Sequence, residues 1–286
     1  GNILDNTDED VCTALVSGIA TPTYSDPDDN IVSVTWTMTG ATTDYSPQTG
    51  INILTSHTFN LGTTTVTYRV TDAGGLSEEC SFTVTVIDNQ NPTIECPSSV
   101  TVSADANSCT ASGVTLGTAT FSDNCTLPSN ALTNDAPSVF PLGTTVVIWT
   151  VTDGAGLTST CSQLVTVLDN QNPSITCPSD PQNRSIISPV TTYTAVGSEF
   201  DATASDNCGG TVVRTNSLNS GSTLAGYTFP VGTTSVTWYA TDASGNTSSC
   251  TFEVIVSQDN QAPTISCPGN ILDNTDEDVC TALVSG

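Results

Sequence analysis

Two residue types in this chain carry chemistry: cysteine, which closes covalent bridges, and aspartate, whose carboxylate ligates hard cations. There are 11 cysteines. The closest stand thirteen residues apart, so no C-x-x-C pair exists and a structural zinc site is not expected. Such a density in a chain rich in Thr, Ser and Asp implies an oxidising compartment, where thiols end as disulfides. Acids outnumber bases 29 to 3, lysine is absent, and the formal charge is −26. A charge of that sign repels nucleic acid and anionic membrane surfaces, and repels itself unless cations bind. Without lysine there is no P-loop, no Schiff base and no lysine crosslink. His57, the single histidine, has no cysteine or acid at catalytic spacing and reads as a surface or packing residue. No nucleophile–base pair stands out, so an enzyme is not expected. No run of 18 apolar residues is present, so no membrane insertion of this segment is expected.

The elements that must position these residues recur three times. Linkers of one type appear at Asp88-Asn-Gln-Asn-Pro92, Asp169-Asn-Gln-Asn-Pro173 and Asp259-Asn-Gln-Ala-Pro263, each followed closely by Cys-Pro at Cys96, Cys177 and Cys267. Each repeat closes on a common run from Phe59, Phe140 or Phe229 through Tyr68, Trp149 or Trp238 to Asp72, Asp153 or Asp242, then Cys80, Cys161 or Cys250. Runs rich in β-branched residues before an Asp-x-x-Gly turn predict strand hairpins, and nothing reads as an amphipathic helix. Short strands at this spacing predict an all-β chain of tandem β-sandwiches. The repeats span 1–88, 89–169 and 170–259. Residues 269–286 copy residues 1–18 letter for letter, so 260–286 reads as the start of a further period, 268 residues after the first.

The pattern of Cys-Pro, Ser-Asp-Asn-Cys at Cys125 and Cys208, Phe-Pro-x-Gly-Thr-Thr, and Thr-Asp-x-x-Gly resembles the hyalin repeat (HYR) family of immunoglobulin-like domains. Repeat one departs from it, with Ser25-Asp26-Pro-Asp28 where Asn-Cys would stand and an insertion around Gly40 to His57. The resemblance implies an extracellular or cell-surface protein, as in giant repetitive bacterial adhesins and filaments. Tandem immunoglobulin-like domains are then expected to form an elongated rod, whose partners are neighbouring repeats, other copies of the filament or a surface ligand.

In such a sandwich the first and last strands begin at one end, which pairs Cys96 with Cys161 and Cys177 with Cys250. The remaining positions suggest bonds across repeat boundaries, Cys12 with Cys125 and Cys109 with Cys208. Wiring wholly inside each repeat is the alternative, and it leaves an orphan cysteine in repeats one and three. Bonds of this kind would keep most of the chain from extending under load, and a joint without one is expected near Gln258 to Pro263.

At the junctions, Asp88, Asp123 and Asp153 should converge, as should Asp169, Asp206 and Asp242. Carboxylates so placed suit Ca²⁺; they also serve as Asx-turns, and both readings stand. Tyr68, Trp149 and Trp238 share one repeat position and are expected in the core, whereas Trp36 occurs in repeat one alone. Asn124, Asn183 and Asn246 fit the N-x-Ser/Thr acceptor pattern. Two functions follow: a structural shaft of disulfide-braced repeats, or an adhesive module in which repeat one binds a glycan or protein through its insertion.

Overall fold

A computed structural model of the chain describes residues 1–267 and 269. Cys280 and most of the expected further period lie outside the described residues. The chain divides into two compact units, Gly1–Gln171 and Asn172–Gly286. Among the described residues every regular element is a β-strand.

Three cores of one design account for the repeats. Phe59, Val66, Tyr68, Val84 and Val86 line the first, Phe140, Val147, Trp149, Val165 and Val167 the second, and Phe229, Val236, Trp238, Val254 and Val256 the third. Within each strand the core residues are spaced by two, so the pleat turns them all to one face and leaves the intervening residues, Thr67, Thr85, Ile148, Thr166, Thr237 and Ile255, at the other. Each fully buried side chain of this size contributes about 1.5–3 kcal/mol. The aromatic anchors are nearly fully buried, at 2% exposure for Tyr68, 6% for Trp149 and 0% for Trp238, which makes them core residues. Their polar atoms are satisfied: the Tyr68 hydroxyl accepts from the Leu54 amide, Trp149 Nε1 donates to Gln163 and Trp238 Nε1 to the Phe200 carbonyl.

In repeat two the main sheet runs Val100–Ser103, Thr158–Leu168, Gly143–Thr152, Leu132–Asn134, the first pair parallel and the rest antiparallel. Facing it are two short pairs, Thr110–Ser112 with Val139–Pro141 and Thr93–Glu95 with Thr120–Ser122. Repeat three copies this plan with Gln182–Ile187, Thr247–Asp259, Gly232–Thr241 and Val213–Asn216, faced by Thr192–Thr194 with Thr228–Pro230 and Ser174–Thr176 with Thr203–Ser205. Repeat one has the sheet Ile3–Asn6, Ser77–Ile87, Gly62–Asp72, Ile31–Gly40 and the pair Thr13–Ser17 with Ser56–Asn60. It lacks the second short pair among the described residues. Its insertion instead adds Asp44–Tyr45 and Gly50–Ile51 to the free edge of Ile31–Gly40.

The hairpin turns explain the Asp-x-x-Gly signature. In each, the aspartate side chain accepts from the amide four residues on, as from Leu76 to Asp72 (2.8 Å), Leu157 to Asp153 (2.8 Å) and Asn246 to Asp242 (2.8 Å). The glycine takes positive φ, 84°, 89° and 91° at Gly75, Gly156 and Gly245, where a Cβ would be strained.

Candidate functional site at the first repeat junction

Repeats one and two lie in the same compact unit, and their junction is built from three polar elements and one covalent bond. The turn before Cys12 is shaped by Asp8, whose amide donates to Thr13 O (2.7 Å) and whose Oδ2 accepts from Leu15 (2.8 Å). Asp10 at the turn's tip has φ 60°, which presents its amide outward. The linker residue Gln90 grips that tip: the Asp10 amide donates to Gln90 Oε1 (3.1 Å), and Gln90 Nε2 donates to Asp10 Oδ1 (3.2 Å). The same device follows repeat two, where Asn107 donates to Gln171 Oε1 and Gln171 Nε2 reaches the carbonyls of Asp105 and Ser108, both at 3.0 Å. Sequence reasoning missed these glutamines, although their recurrence in every linker was the available signal.

From the other side, Asn124 Nδ2 donates to Thr7 Oγ1 (3.3 Å) and the Val11 carbonyl (3.1 Å). This amide, which fits a glycosylation pattern in sequence, is therefore committed to the contact between repeats. Beside it Cys12 and Cys125 form a disulfide with Cα atoms 4.8 Å apart, joining residues 113 positions distant. Cys96–Cys161 and Cys177–Cys250 close repeats two and three internally. Cys109 lies in the first unit and Cys208 in the second.

The acids converge at this junction too. Ligand atoms of Asp88, Asp123 and Cys125 lie within 4.8 Å of one another, but the Cys125 sulfur is already spent in its disulfide, leaving the carboxylates as the donors. Asp88 Oδ1 accepts from Gln90 (3.2 Å), Asp123 Oδ2 from Cys125 (3.0 Å), and Asp153 Oδ1 from Ala155 (2.9 Å) and Leu157. Each of these is an Asx-type turn contact that uses one oxygen. The other oxygens of Asp123 and Asp153, Oδ1 and Oδ2, are buried without a hydrogen-bond partner, as is Asn124 Oδ1. Asp153 as a whole is only 4% exposed. Burial, and then the charges of Asp88 and Asp153, push the Asp123 carboxyl above its usual range, against the amide bonds that favour its ionised form. Buried carboxylate oxygens crowded by like charge and short of donors have the character of a hard-cation site. Turn chemistry and cation binding are thus compatible here, one oxygen serving each.

Of the other expected acids, Asp169 lies in the first unit and accepts from Gln171 (3.0 Å). Asp206 and Asp242 lie in the second. Asp206 repeats the Asp123 arrangement, with Oδ2 accepting from Cys208 (2.8 Å) and Oδ1 buried without a partner. Asp242 differs: burial opposes its ionisation, yet the Asn246 side chain and the amides of Asn246, Ser244 and Gly245 outweigh that and hold its carboxyl below the usual range.

Repeat one's insertion is pinned over its sheet edge by Ser46, which accepts from the Trp36 amide (2.9 Å), and by Asn52, whose Nδ2 meets the carbonyls of Val34, Pro47, Thr49 and Gly50. Trp36 is half-buried against the core and meets His57 edge-on at 6.1 Å. His57 in turn packs on Phe59 and lies 3.6 Å from Asp44.

Three stretches, residues 21–86, 87–167 and 168–256, match the HYR domain family. Hyalin of Strongylocentrotus purpuratus is 33% identical over 238 residues, 79% of this chain and 19% of that protein. A serine-rich adhesin for platelets of Staphylococcus aureus strain MRSA252 is 26% identical over 263 residues, 87% of this chain and 18% of that protein. The chain thus spans a minor part of the relatives it matches. Among solved structures, mouse cadherin-23 EC22-24 aligns over 90% of this chain and 96% of that one, at 15% identity and a TM-score of 0.36.

Proposed function

The chain belongs to the HYR domain family, and from that membership we propose that it serves as the load-carrying shaft of an extracellular filament or giant cell-surface adhesin. It is an extracellular or cell-surface protein of tandem adhesion-type repeats. The observation that carries the finer reading is the Cys12–Cys125 bond, because it makes the boundary between two repeats covalent by a second route besides the backbone. Force arriving at Cys12 crosses directly to Cys125, and the chain between them, a separation of 113 positions, lies off the shortest covalent path. On the chain-entropy model, closing so long a loop also stabilises the fold by about 4–5 kcal/mol, which matters to cores this small. Equivalent sequence positions extend the proposal to Cys109 with Cys208. With that second bond the covalent path from Cys12 to Cys208 would contain only the segment between Cys125 and Cys109, about 55 Å when fully extended. The role is mechanical and not catalytic.

Calcium at the first junction belongs to the same proposal. Asp88, Asp123, Asp153 and the Asn124 carbonyl would hold it, and the ion would neutralise the like charges that burial brings together. Support comes from the orphaned oxygens of Asp123, Asn124 and Asp153. Calorimetry of the chain with calcium and with chelator tests it: calcium at a hundred times its dissociation constant should add about 2.7 kcal/mol to stability. An identical melting curve in both would remove the ion from the account.

A second reading, ligand binding by repeat one, draws on the insertion, which exposes Tyr45 and Ile51 on an edge that repeats two and three lack. Glycan or protein binding by the chain that Tyr45→Ala abolishes would favour it. The shaft reading is tested by non-reducing peptide mapping: peptides joining Cys12 to Cys125 and Cys109 to Cys208 are expected, and bonds confined within repeats would overturn it.

A further inference from the structure

One loop at the first junction serves the covalent bond and the candidate cation site together. Cys125 supplies half of the bond to Cys12, and the two residues before it, Asp123 and Asn124, each leave Oδ1 buried without a partner. The loop's own contacts decide which oxygens are left over. The Cys125 amide donates to Asp123 Oδ2 (3.0 Å), so Oδ1 stays bare. Asn124 Nδ2 donates to Thr7 Oγ1 and the Val11 carbonyl, on the segment that leads to Cys12, and the planar amide then turns Oδ1 away from both. Asp153 Oδ2 is the third bare oxygen, and Asp153 and Asp88 are 4% and 8% exposed, so water and salt screen their charges little. The Cys125 sulfur itself lies within 4.8 Å of ligand atoms of Asp88 and Asp123. Among the described residues, neither Cys96–Cys161 nor Cys177–Cys250 places a sulfur in such a group.

With the site empty, the carboxylates of Asp88, Asp123 and Asp153 repel one another, and outward movement of the loop at 123–125 would relieve that repulsion. The bond to Cys12 opposes the movement. Opening the bond therefore frees the loop that carries two of the bare oxygens, and a cation must order it again in order to bind. In the other direction, a cation cancels the repulsion and keeps the Cys125 sulfur beside that of Cys12, where the bond re-forms.

We propose that the Cys12–Cys125 disulfide and the cation site are a linked pair, in which calcium protects this bond from reduction and the closed bond raises the site's affinity for calcium. The two effects are equal by thermodynamic necessity, and a coupling of about tenfold is usual for linked sites. The exchange itself is ordinary: two glutathione thiols become glutathione disulfide in successive steps, and the two protein sulfurs take up two electrons and two protons. The joint between repeats is then a lock with two keys, opened most readily where reductant is present and calcium is scarce. The inference rests on the calcium reading of this site and adds its regulation.

The test equilibrates the whole chain in glutathione buffers of graded reducing strength, with saturating calcium or with chelator, and reads each bond by differential alkylation and peptide mapping. With calcium, reducing half of the Cys12–Cys125 bonds should require about ten times the ratio of squared glutathione to glutathione disulfide. That shift should vanish in Asp153→Asn, whose amide oxygen keeps the contacts to Ala155 and Leu157 while the charge is lost. Titration calorimetry gives the reciprocal measurement: Cys12→Ser/Cys125→Ser should bind calcium about tenfold more weakly at the site that Asp153→Asn removes. Calcium bound equally well with and without the bond would overturn the linkage and leave the calcium site standing. An equal shift at Cys96–Cys161 would also overturn it, because it would show general stabilisation of the unit. Absence of calcium binding by every form would remove both the ion and this inference, and would leave the covalent junction untouched.

Discussion

At the scale of single residues, two carboxylates with opposite shifts make opposite predictions. Asp123 is held above its usual range by burial and by Asp88 and Asp153, so its contribution is full below the unfolded value of about 3.9 and is lost as pH rises through the folded value. In chelator, Asp123→Asn should therefore stabilise the first unit at neutral pH, by about 1 kcal/mol, and should abolish any stabilisation by calcium. A variant that loses stability in chelator, measured by denaturant unfolding, would contradict the crowding. Glu199 behaves the other way. Burial opposes its ionisation, but the Val196 amide, Arg184 at 2.9 Å and the Tyr193 hydroxyl at 2.9 Å prevail and hold its carboxyl low. Its contribution is present above the unfolded value of about 4.3 and is lost as pH falls through the lower folded value. Glu199→Gln should cost about 2 kcal/mol at pH 7 and flatten the acid limb of the second unit's stability curve; an unchanged acid limb would show that the Arg184–Glu199 pair does not govern it.

Elements are where the sequence was most and least legible. The strands and cores could be read because Phe, Val and Trp or Tyr recur two residues apart at fixed offsets, and a pleated strand can bury only one such face. The Asp-x-x-Gly turns were equally plain, since the carboxylate and the positive-φ glycine act within five residues. The linker clamps were marked only by the recurrence of Gln in each linker, because Gln90 and Gln171 contact turns 80 and 64 residues away, largely through backbone groups, which leave no mark on side-chain type. Asn124 shows the same limit: its pattern fits glycosylation, while its role comes from Thr7 and Val11, more than a hundred positions earlier. The acids were legible as a cluster, but which oxygen each spends on a turn and which it leaves bare depended on loop geometry. Gln90→Ala should loosen the first junction without unfolding either repeat, at a cost of about 1 kcal/mol. Hydrogen exchange would report it as faster exchange of the Asp10 amide with the core amides of Val66 and Val147 unchanged, and slow exchange at Asp10 in the variant would remove the clamp from the account.

For the whole molecule the central claim is that disulfides, and not hydrogen bonds alone, set how far the chain can be stretched. With Cys12–Cys125 and Cys96–Cys161 closed, the shortest covalent route from Cys12 to Cys161 runs through sulfur and the backbone between Cys125 and Cys96, and extends to about 100 Å. The reduced backbone between the same residues reaches about 500 Å. Every core in the chain can therefore unfold under load while most of its length stays hidden behind sulfur. The direct measurement is single-molecule stretching of the oxidised chain from its two ends, followed by addition of reductant at constant force. The account predicts limited extension before reductant and a release of at least about 400 Å from the first unit afterwards. Full backbone extension before any reductant is added would contradict it.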